Sequence, residues 1–479
     1  MRRPLRLTAL AAGLVFASGA FAASSTTIPA DAVTAATSLR DKAMADDTAY
    51  NVVTSLTTEV GARLAGSPAD QRGRDWAVAK FKALGFDKVY VEPVTYPLWE
   101  RHSEHGAIVG EHAQNLALTA LGYSAGTPSG GLTAEVVAFP TLQALKDADP
   151  ASIKGKIVYV GAKMTRQKDG HDYGIGSPMR TQGPVIAQSK GAAAFLLRSA
   201  GTDDHSRTPH TGVTGFTDPA KAIPAAALSL PDADQIERLL AMGQPLQVKL
   251  DLDVGFKGTY TGANVIGEIT GKKHPNEVVA IGGHLDSWDL GTGAIDDGAG
   301  VAIAMAAAKL IHDMPQRPDR TIRVIAFANE EMGLWGGRAY ADKHAGEVAK
   351  FQLGTESDFG SGPVWRMTAS VKPEARAAIE QIAKVLEPIG VAYDADKPGG
   401  GGSDLSQMHR KGMAALTLTQ DGTTYFDFHH NANDTLDKID PKELAQNVAV
   451  YATFAYMAAQ AKGDFGSAPG AFAKDGARD

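Results

Sequence analysis

The sequence predicts an α/β protein: a mixed, mostly parallel sheet with helices on both faces, interrupted by an inserted β-rich block. Three observations predict it. Val278 to Ile281 is an apolar run that stops at Gly282-Gly283, and Val301 to Leu310 is almost wholly Ala, Val, Ile, Met and Leu. Thr321 to Ala328 is a second apolar run, so strand, buried helix and strand follow at the spacing of a parallel βαβ unit. From about residue 118 to 255 the pattern changes to short β-like runs parted by Gly/Pro turns.

Composition narrows the class. The chain has 479 residues, 44% apolar and 21% charged, enough for two or three domains with a sizeable core and too apolar for disorder. Arg2, Arg3 and Arg6 precede an apolar stretch from Leu7 to Phe16 and an Ala20-Phe21-Ala22 cleavage pattern, so residues 1–22 read as an export signal. Its removal takes the formal charge from −7 to −10. An acidic chain without Lys/Arg clusters excludes nucleic acid and anionic membrane surfaces as partners. The absence of Cys excludes disulfides, thiolate nucleophiles and Cys-based zinc sites. An exported, Cys-free chain of this size points to a bacterial periplasm or a secreted protein.

In chain order, residues 23–36 are Ala/Ser/Thr-rich and predict a mobile leader, with the catalytic domain starting at residue 37 and its first part running to 117. Tyr50, Val53, Leu56 and Val60 recur at helical spacing. Ala69 to Leu84 is amphipathic and ends at Gly85, where a helix C-terminal glycine belongs. Val89 to Val91 follows as a strand. Residues 118–255 carry the runs Val136–Phe139, Ile157–Val160 and Phe195–Leu197, with His171, His205 and His210 in polar stretches. Those three match no helical or strand ligand spacing and are expected as exposed loop histidines, in a block without chemistry of its own. The core pattern resumes over 256–462. It includes a strand from Asn264 to Ile269, a helix over 372–388, a strand from Ala414 to Leu418 and a terminal helix from Pro441 to about Ala461. Residues 463–479 are expected to fray.

The chemistry collects where apolar strands end. His284, Asp286, Asp296, Glu330, Glu331, Asp358 and His430 all follow such runs, with few Lys or Arg nearby. Acids stranded at a buried sheet edge call for a cation. Mixed imidazole and carboxylate donors suit zinc, and an all-oxygen set would suit magnesium or calcium. One carboxylate between two metals, with a His and an acid on each, uses two His and three acids and leaves one Glu as general base. The competing reading is a Gly-rich turn with solvated acids.

The segments Gly282-Gly283-His284-x-Asp286, Gly293-Ala294-x-Asp296-Asp297-x-x-Gly300, Asn329-Glu330-Glu331-x-Gly333 and His430-x-x-x-Asp434-Thr435 occur in that order. With Glu356-Ser357-Asp358, Gly402-Ser403-Asp404 and Tyr425-Phe426-x-x-His429-His430, the chain resembles the zinc-peptidase family of bacterial leucyl aminopeptidases and glutamate carboxypeptidases. The likeness extends over nearly all of the chain after residue 22, and the middle block resembles the protease-associated domain of many members. The resemblance implies two zinc ions per chain, with Asp296 bridging them. His284 and Asp358 would complete one site, and Glu331 and His430 the other. It implies Glu330 as general base, Asp286 orienting His284, and a cis peptide between Asp296 and Asp297. His430 is preferred to His429 because it lies four residues before Asp434, which leaves His429 for substrate. Tyr425, and Ser403 or Asp404 after the Gly399–Gly402 run, are further candidate substrate contacts. The implied activity is exopeptidase cleavage of dipeptides or short peptides, of carboxypeptidase or dipeptidase type, with a possible homodimer. The rivals are an aminopeptidase on the same site, a single-zinc glutaminyl cyclase and a metal-free binding module.

Overall fold

The structure, a computed structural model, describes residues 25–472. The export signal expected over residues 1–22 lies outside the described residues. In the first half the strands are Lys88–Val109 (β1), Gln114–Leu116 (β2), Leu118–Ala120 (β3), Leu132–Phe139 (β4), Ile157–Val160 (β5), Ala194–Arg198 (β6) and Ala225–Leu228 (β7). In the second half they are Gln247–Ile269 (β8), His274–His284 (β9), Arg320–Phe327 (β10), Phe351–Glu356 (β11), Val364–Ser370 (β12), Ala392–Tyr393 (β13) and Ala415–Gln420 (β14).

All lie in one continuous sheet, ordered β13-β12-β14-β11-β9-β10-β8-β4-β5-β6-β7-β3, with β1 pairing β8 and β2. The strands β14, β11, β9 and β10 run parallel, and β12 and β8 flank them antiparallel. Alternation along β9 divides its side chains between two helical layers. Val279 and Ile281 pack with helices Ala299–His312 and Pro441–Gln460 on one face; Val278 and Ala280 pack with Tyr340, Leu405 and Met408 on the other. Helix Ala299–His312 is apolar all round because it is covered on every side.

The middle block differs from the sequence reading in two respects. It is not simply β-rich: β4 to β7 form a parallel run covered by helices Tyr173–Ser189 and Leu230–Ala241. The limit expected at residue 255 also falls inside a strand, because β8 runs unbroken from Gln247 to Ile269 along β1. The strand expected at Val89–Val91 is the start of this same long β1.

Neither end of the described chain is loose. Residues 25–36, expected as mobile, enter a helix, Ala30–Ala43, that buries Ala32, Ala36 and Leu39 against helix Pro441–Gln460. Thr27 bridges to Lys462. The small Ala and Thr side chains that suggested a leader are what lets two helices approach closely. In the tail, Phe465 is fully buried and its carbonyl accepts from Lys372 N at 3.0 Å. Residues 473–479 lie outside the described residues. No helix among the described residues is long and apolar enough to cross a membrane. Phe465→Ala is expected to cost about 3–5 kcal/mol by emptying a buried site, read as a lower urea midpoint; a change within 0.5 kcal/mol would mean a frayed tail.

Candidate active site

Four parallel strands deliver the polar residues to one edge. His284 is the last residue of β9, Glu330 and Glu331 follow β10, Asp358 follows β11, and His430 lies in the loop after β14. Carboxyl ends of parallel strands are where open α/β sheets carry their ligands. Asp296 and Asp297 lie between β9 and helix Ala299–His312, joined by a cis peptide. Asp297 ties strand to helix: its carboxylate accepts from His284 N and Gly300 N, both at 3.0 Å. Gly283 permits that approach, since a Cβ there would lie 2.5 Å from Val301 N.

The side chains converge in two groups around one carboxylate. Oδ1 of Asp296 is 3.0 Å from His284 Nε2, and Oδ1 of Asp358 is 3.4 Å from the same nitrogen. Oδ2 of Asp296 turns the other way, 3.3 Å from His430 Nε2, which is 2.8 Å from Glu331 Oε2. His429 stacks on His430 with ring centres 3.4 Å apart, and its Nε2 is 3.7 Å from Asp296 Oδ2. His430, at φ +62°, holds a conformation that costs a non-glycine residue about 1–3 kcal/mol.

Both imidazoles are set by their far nitrogen. His284 Nδ1 is 3.0 Å from the Asp286 carbonyl, and His430 Nδ1 is 3.2 Å from the Thr211 carbonyl. An Nδ1–H donated to a carbonyl leaves the Nε2 lone pair facing the carboxylates, the tautomer a metal needs. Asp286 thus orients His284 chiefly through its backbone. Its carboxylate does another task, accepting from Glu330 N at 3.0 Å and Glu331 N at 3.4 Å.

The donor set fits a cation. Asp296 Oδ2 and Glu331 Oε1 are buried without a hydrogen-bond partner. Burial pushes the carboxyl groups of Glu330 and Glu331 well above the usual range, with neighbouring acids adding to it. Burial raises Asp296 too, against the His284 hydrogen bond. Burial also holds His429 and His430 well below the ordinary imidazole value, whereas the carboxylates around His284 raise it well above that value against its burial. Buried carboxylates with oxygens that lack a donor, set beside imidazole nitrogens, form a ligand set suited to a cation.

Around this centre lies a cavity of about 760 Å³, whose wall includes Glu330, Ser403, Tyr425 and His429. Of the substrate candidates, Asp404 does not belong there. It is fully buried, its Oδ1 accepts from Gly337 N at 2.8 Å, and burial pushes it up to about 8. Ser403 faces the cavity but donates its hydroxyl to Asp358. Gly400 and Gly402 line the cavity wall, so the glycine run frames the pocket.

The middle block, expected to be inert, reaches the site. His171 and His205 are exposed as expected, but His210 is buried. It lies between Asp203, at 2.7 Å, and the His429 carbonyl, at 2.6 Å. Thr211 N donates to the His430 carbonyl at 3.0 Å, and Tyr173 and Arg180 line the cavity. Reasoning from sequence also missed Arg63. Fully buried, it donates to the carbonyls of Leu285, Thr292 and Gly293 and so fixes the loop before Asp296. No local pattern marks Arg63, His210 and Thr211, because the loops they hold at the site lie more than 200 positions away.

Residues 264–455 match the model of Peptidase family M28. Human carboxypeptidase Q is 33% identical over 418 residues, covering 87% of this chain and 86% of that protein. The chain belongs to peptidase family M28. A crystal structure of a peptidase M28 precursor from Shewanella amazonensis superposes with a TM-score of 0.89 at 47% identity, covering 92% of this chain and 99% of that one. A zinc aminopeptidase from Bacillus subtilis shares the fold, with a TM-score of 0.62 at 22% identity over 85% of this chain and 94% of that one. Family membership makes the protein a zinc-dependent exopeptidase of the metallopeptidase class.

Asp286→Ala leaves the Glu330 and Glu331 N–H groups without an acceptor in a buried loop. It is expected to destabilise the fold by about 1–3 kcal/mol for each lost partner, measured by urea denaturation. An unchanged midpoint would separate Asp286 from the support of that loop.

Proposed function

We propose that the protein is an exported two-zinc peptidase that removes single residues from dipeptides or short peptides, acting as a carboxypeptidase or dipeptidase. One observation carries the reading: the two oxygens of the Asp296 carboxylate face different clusters, His284 with Asp358 and His430 with Glu331. Those five residues would hold the two ions. Zinc bound there supplies Lewis acidity toward the scissile carbonyl and lowers the pKa of a water to about 7.

The remaining work belongs to the chain's own groups. Glu330 stands at the cavity wall, its backbone held by Asp286 and its carboxyl raised by burial and by Asp358. It takes the proton from the attacking water and hands it to the leaving amine. A carboxylate free of metal duty, yet next to it, is the group best placed for that shuttle. Ser403, by donating to Asp358, fixes which oxygen of that acid faces His284. Tyr425 and His429 lie along the cavity wall, where a peptide would pass.

Carboxypeptidase Q among the relatives supports action at the carboxyl end, and the sequence pattern of residues 1–22 supports export. An aminopeptidase is the second reading, favoured by the zinc aminopeptidase of like fold. Dipeptides assayed beside their N-blocked and C-amidated forms separate the two: a carboxypeptidase tolerates the N-block and an aminopeptidase the amide.

Glu330→Gln is expected to retain two zinc ions per chain while kcat falls by about 10²–10⁴-fold, the usual worth of a general base. Near-normal turnover would remove Glu330 from the shuttle. Asp296→Ala is expected to lower zinc to less than one ion per chain, measured by elemental analysis after dialysis; two retained ions would refute the bridge.

A further inference from the structure

A second cavity, of about 900 Å³, opens at the end of the sheet away from the carboxylate cluster. It lies where the parallel strands begin: Arg320 is the first residue of β10 and Gln352 the second of β11. From Gln352 to Glu356, the last residue of β11, the strand climbs about 13 Å, so the two cavities are separate. The start of helix Ala30–Ala43 and the end of helix Pro441–Gln460 close its sides. Nothing in the chemistry above uses this space.

Its floor carries a buried amide with nothing to bind. Gln352 is 4% exposed, its Oε1 has no hydrogen-bond partner, and its Nε2 donates to no group among the described residues. A buried amide left without partners is destabilising, and a ligand that fills it recovers that loss. Gln446 shows what such an amide does when it is filled. Buried to the same depth at 5% exposed, it accepts from Val364 N and donates to the Val364 carbonyl, both at 2.8 Å. An extended residue presents its N–H and C=O on the same side, so one carboxamide grips both. The charged groups around Gln352 do not favour a simple ion. Arg320 is spent on Glu277 and on the carbonyls of Ala458, Ala461 and Gly463. Lys273 pairs with Asp319 at 2.8 Å, and Asp464 with Lys372 at 2.7 Å. That leaves one acid and one base on the rim, Asp31 and Lys462, both exposed and without an ion partner among the described residues.

We infer that this cavity binds a short unblocked peptide in extended conformation, one residue of which gives its N–H to Gln352 Oε1 and takes Gln352 Nε2–H on its carbonyl or carboxylate oxygen. Main-chain hydrogen bonds of this kind supply affinity whatever the side chains. The two charged ends of the ligand match the unpaired charges of the rim, its ammonium Asp31 and its carboxylate Lys462. A peptide bound here is not cut, because the carboxylates and imidazoles of the candidate active site stand at the far end of the strands.

Amide hydrogen exchange on the zinc-loaded Glu330→Gln enzyme reads both cavities at once, with glycylglycine as probe and its concentration followed so that any cleavage is seen apart from binding. At about tenfold excess over Kd, exchange is expected to slow by about tenfold over residues 314–320 and 460–464, which wall the second cavity. Gln352→Leu should abolish that slowing and leave the slowing around the candidate active site. It should not lower the urea midpoint, since the amide it removes has no partner. Glycylsarcosine, whose peptide nitrogen carries no hydrogen, should bind the second cavity about 2–10-fold more weakly, the worth of one hydrogen bond. Free glycine, with no peptide unit, should not slow exchange there. Unchanged exchange over 314–320 and 460–464 with glycylglycine would overturn the inference. So would slowing that survives Gln352→Leu, equal binding of glycylsarcosine, or equal slowing by free glycine, which would mark a site for amino acids. A lower midpoint in Gln352→Leu would show the amide bonded within the fold and sink it as well.

Discussion

A cluster of buried carboxylates is the constraint to which the rest of this molecule answers. Asp296, Glu331 and Asp358 sit with two imidazoles in one small space. Burial first and the neighbouring acids second hold the carboxyls of Asp296 and Glu331 above the usual range. With dications the same crowding becomes a binding surface. The surroundings are arranged to hold the acids in place regardless: Asp297 fastens strand to helix, Arg63 grips three carbonyls of the approach loop, and Asp434 accepts from Ala294 N and Ile295 N at 2.8 and 2.7 Å.

The division of labour among neighbouring acids follows from what each touches. Asp286 has its oxygens turned to backbone N–H groups, Asp297 has its own turned to two more, and Asp434 does the same one loop away. Asp286 and Asp297 each spend both oxygens in this way. Asp296 and Glu331 do not, each with an oxygen lacking a donor. Five acids close together in space therefore differ in what their hydrogen bonds leave free, and sequence adjacency does not predict which is which. Glu330 and Glu331 are consecutive and stand in different surroundings.

The sheet core and the polar residues gathered at its edge were legible in the sequence because both are local signals. Apolar runs of strand length ending in Gly-Gly-His or Asn-Glu-Glu mark where a strand stops and a polar group begins. The residues that support the site were not legible. Thr211 orients His430 from 219 positions away and Arg63 reaches residues more than 220 positions ahead, and neither stands in a pattern of its own. The Ala/Thr-rich segment from residue 25 misled for a different reason. Small residues lower the apparent hydrophobicity of a stretch, yet they also allow tight helix packing, and here the second effect won.

The grip of the middle block on the loop around His430 has a consequence for how this architecture can change. Thr202 holds Phe426 and Asp427, His210 holds the His429 carbonyl, and Thr211 holds His430 by donating its N–H to the His430 carbonyl and facing the imidazole Nδ1 with its own carbonyl. One half of the metal-facing cluster is thus shaped by a segment that supplies none of its donor atoms. Excising residues 118–255 to obtain a smaller enzyme would strip the scaffold from a strained histidine. A lineage that discarded this block would have to invent another brace for that loop before its chemistry could survive the loss.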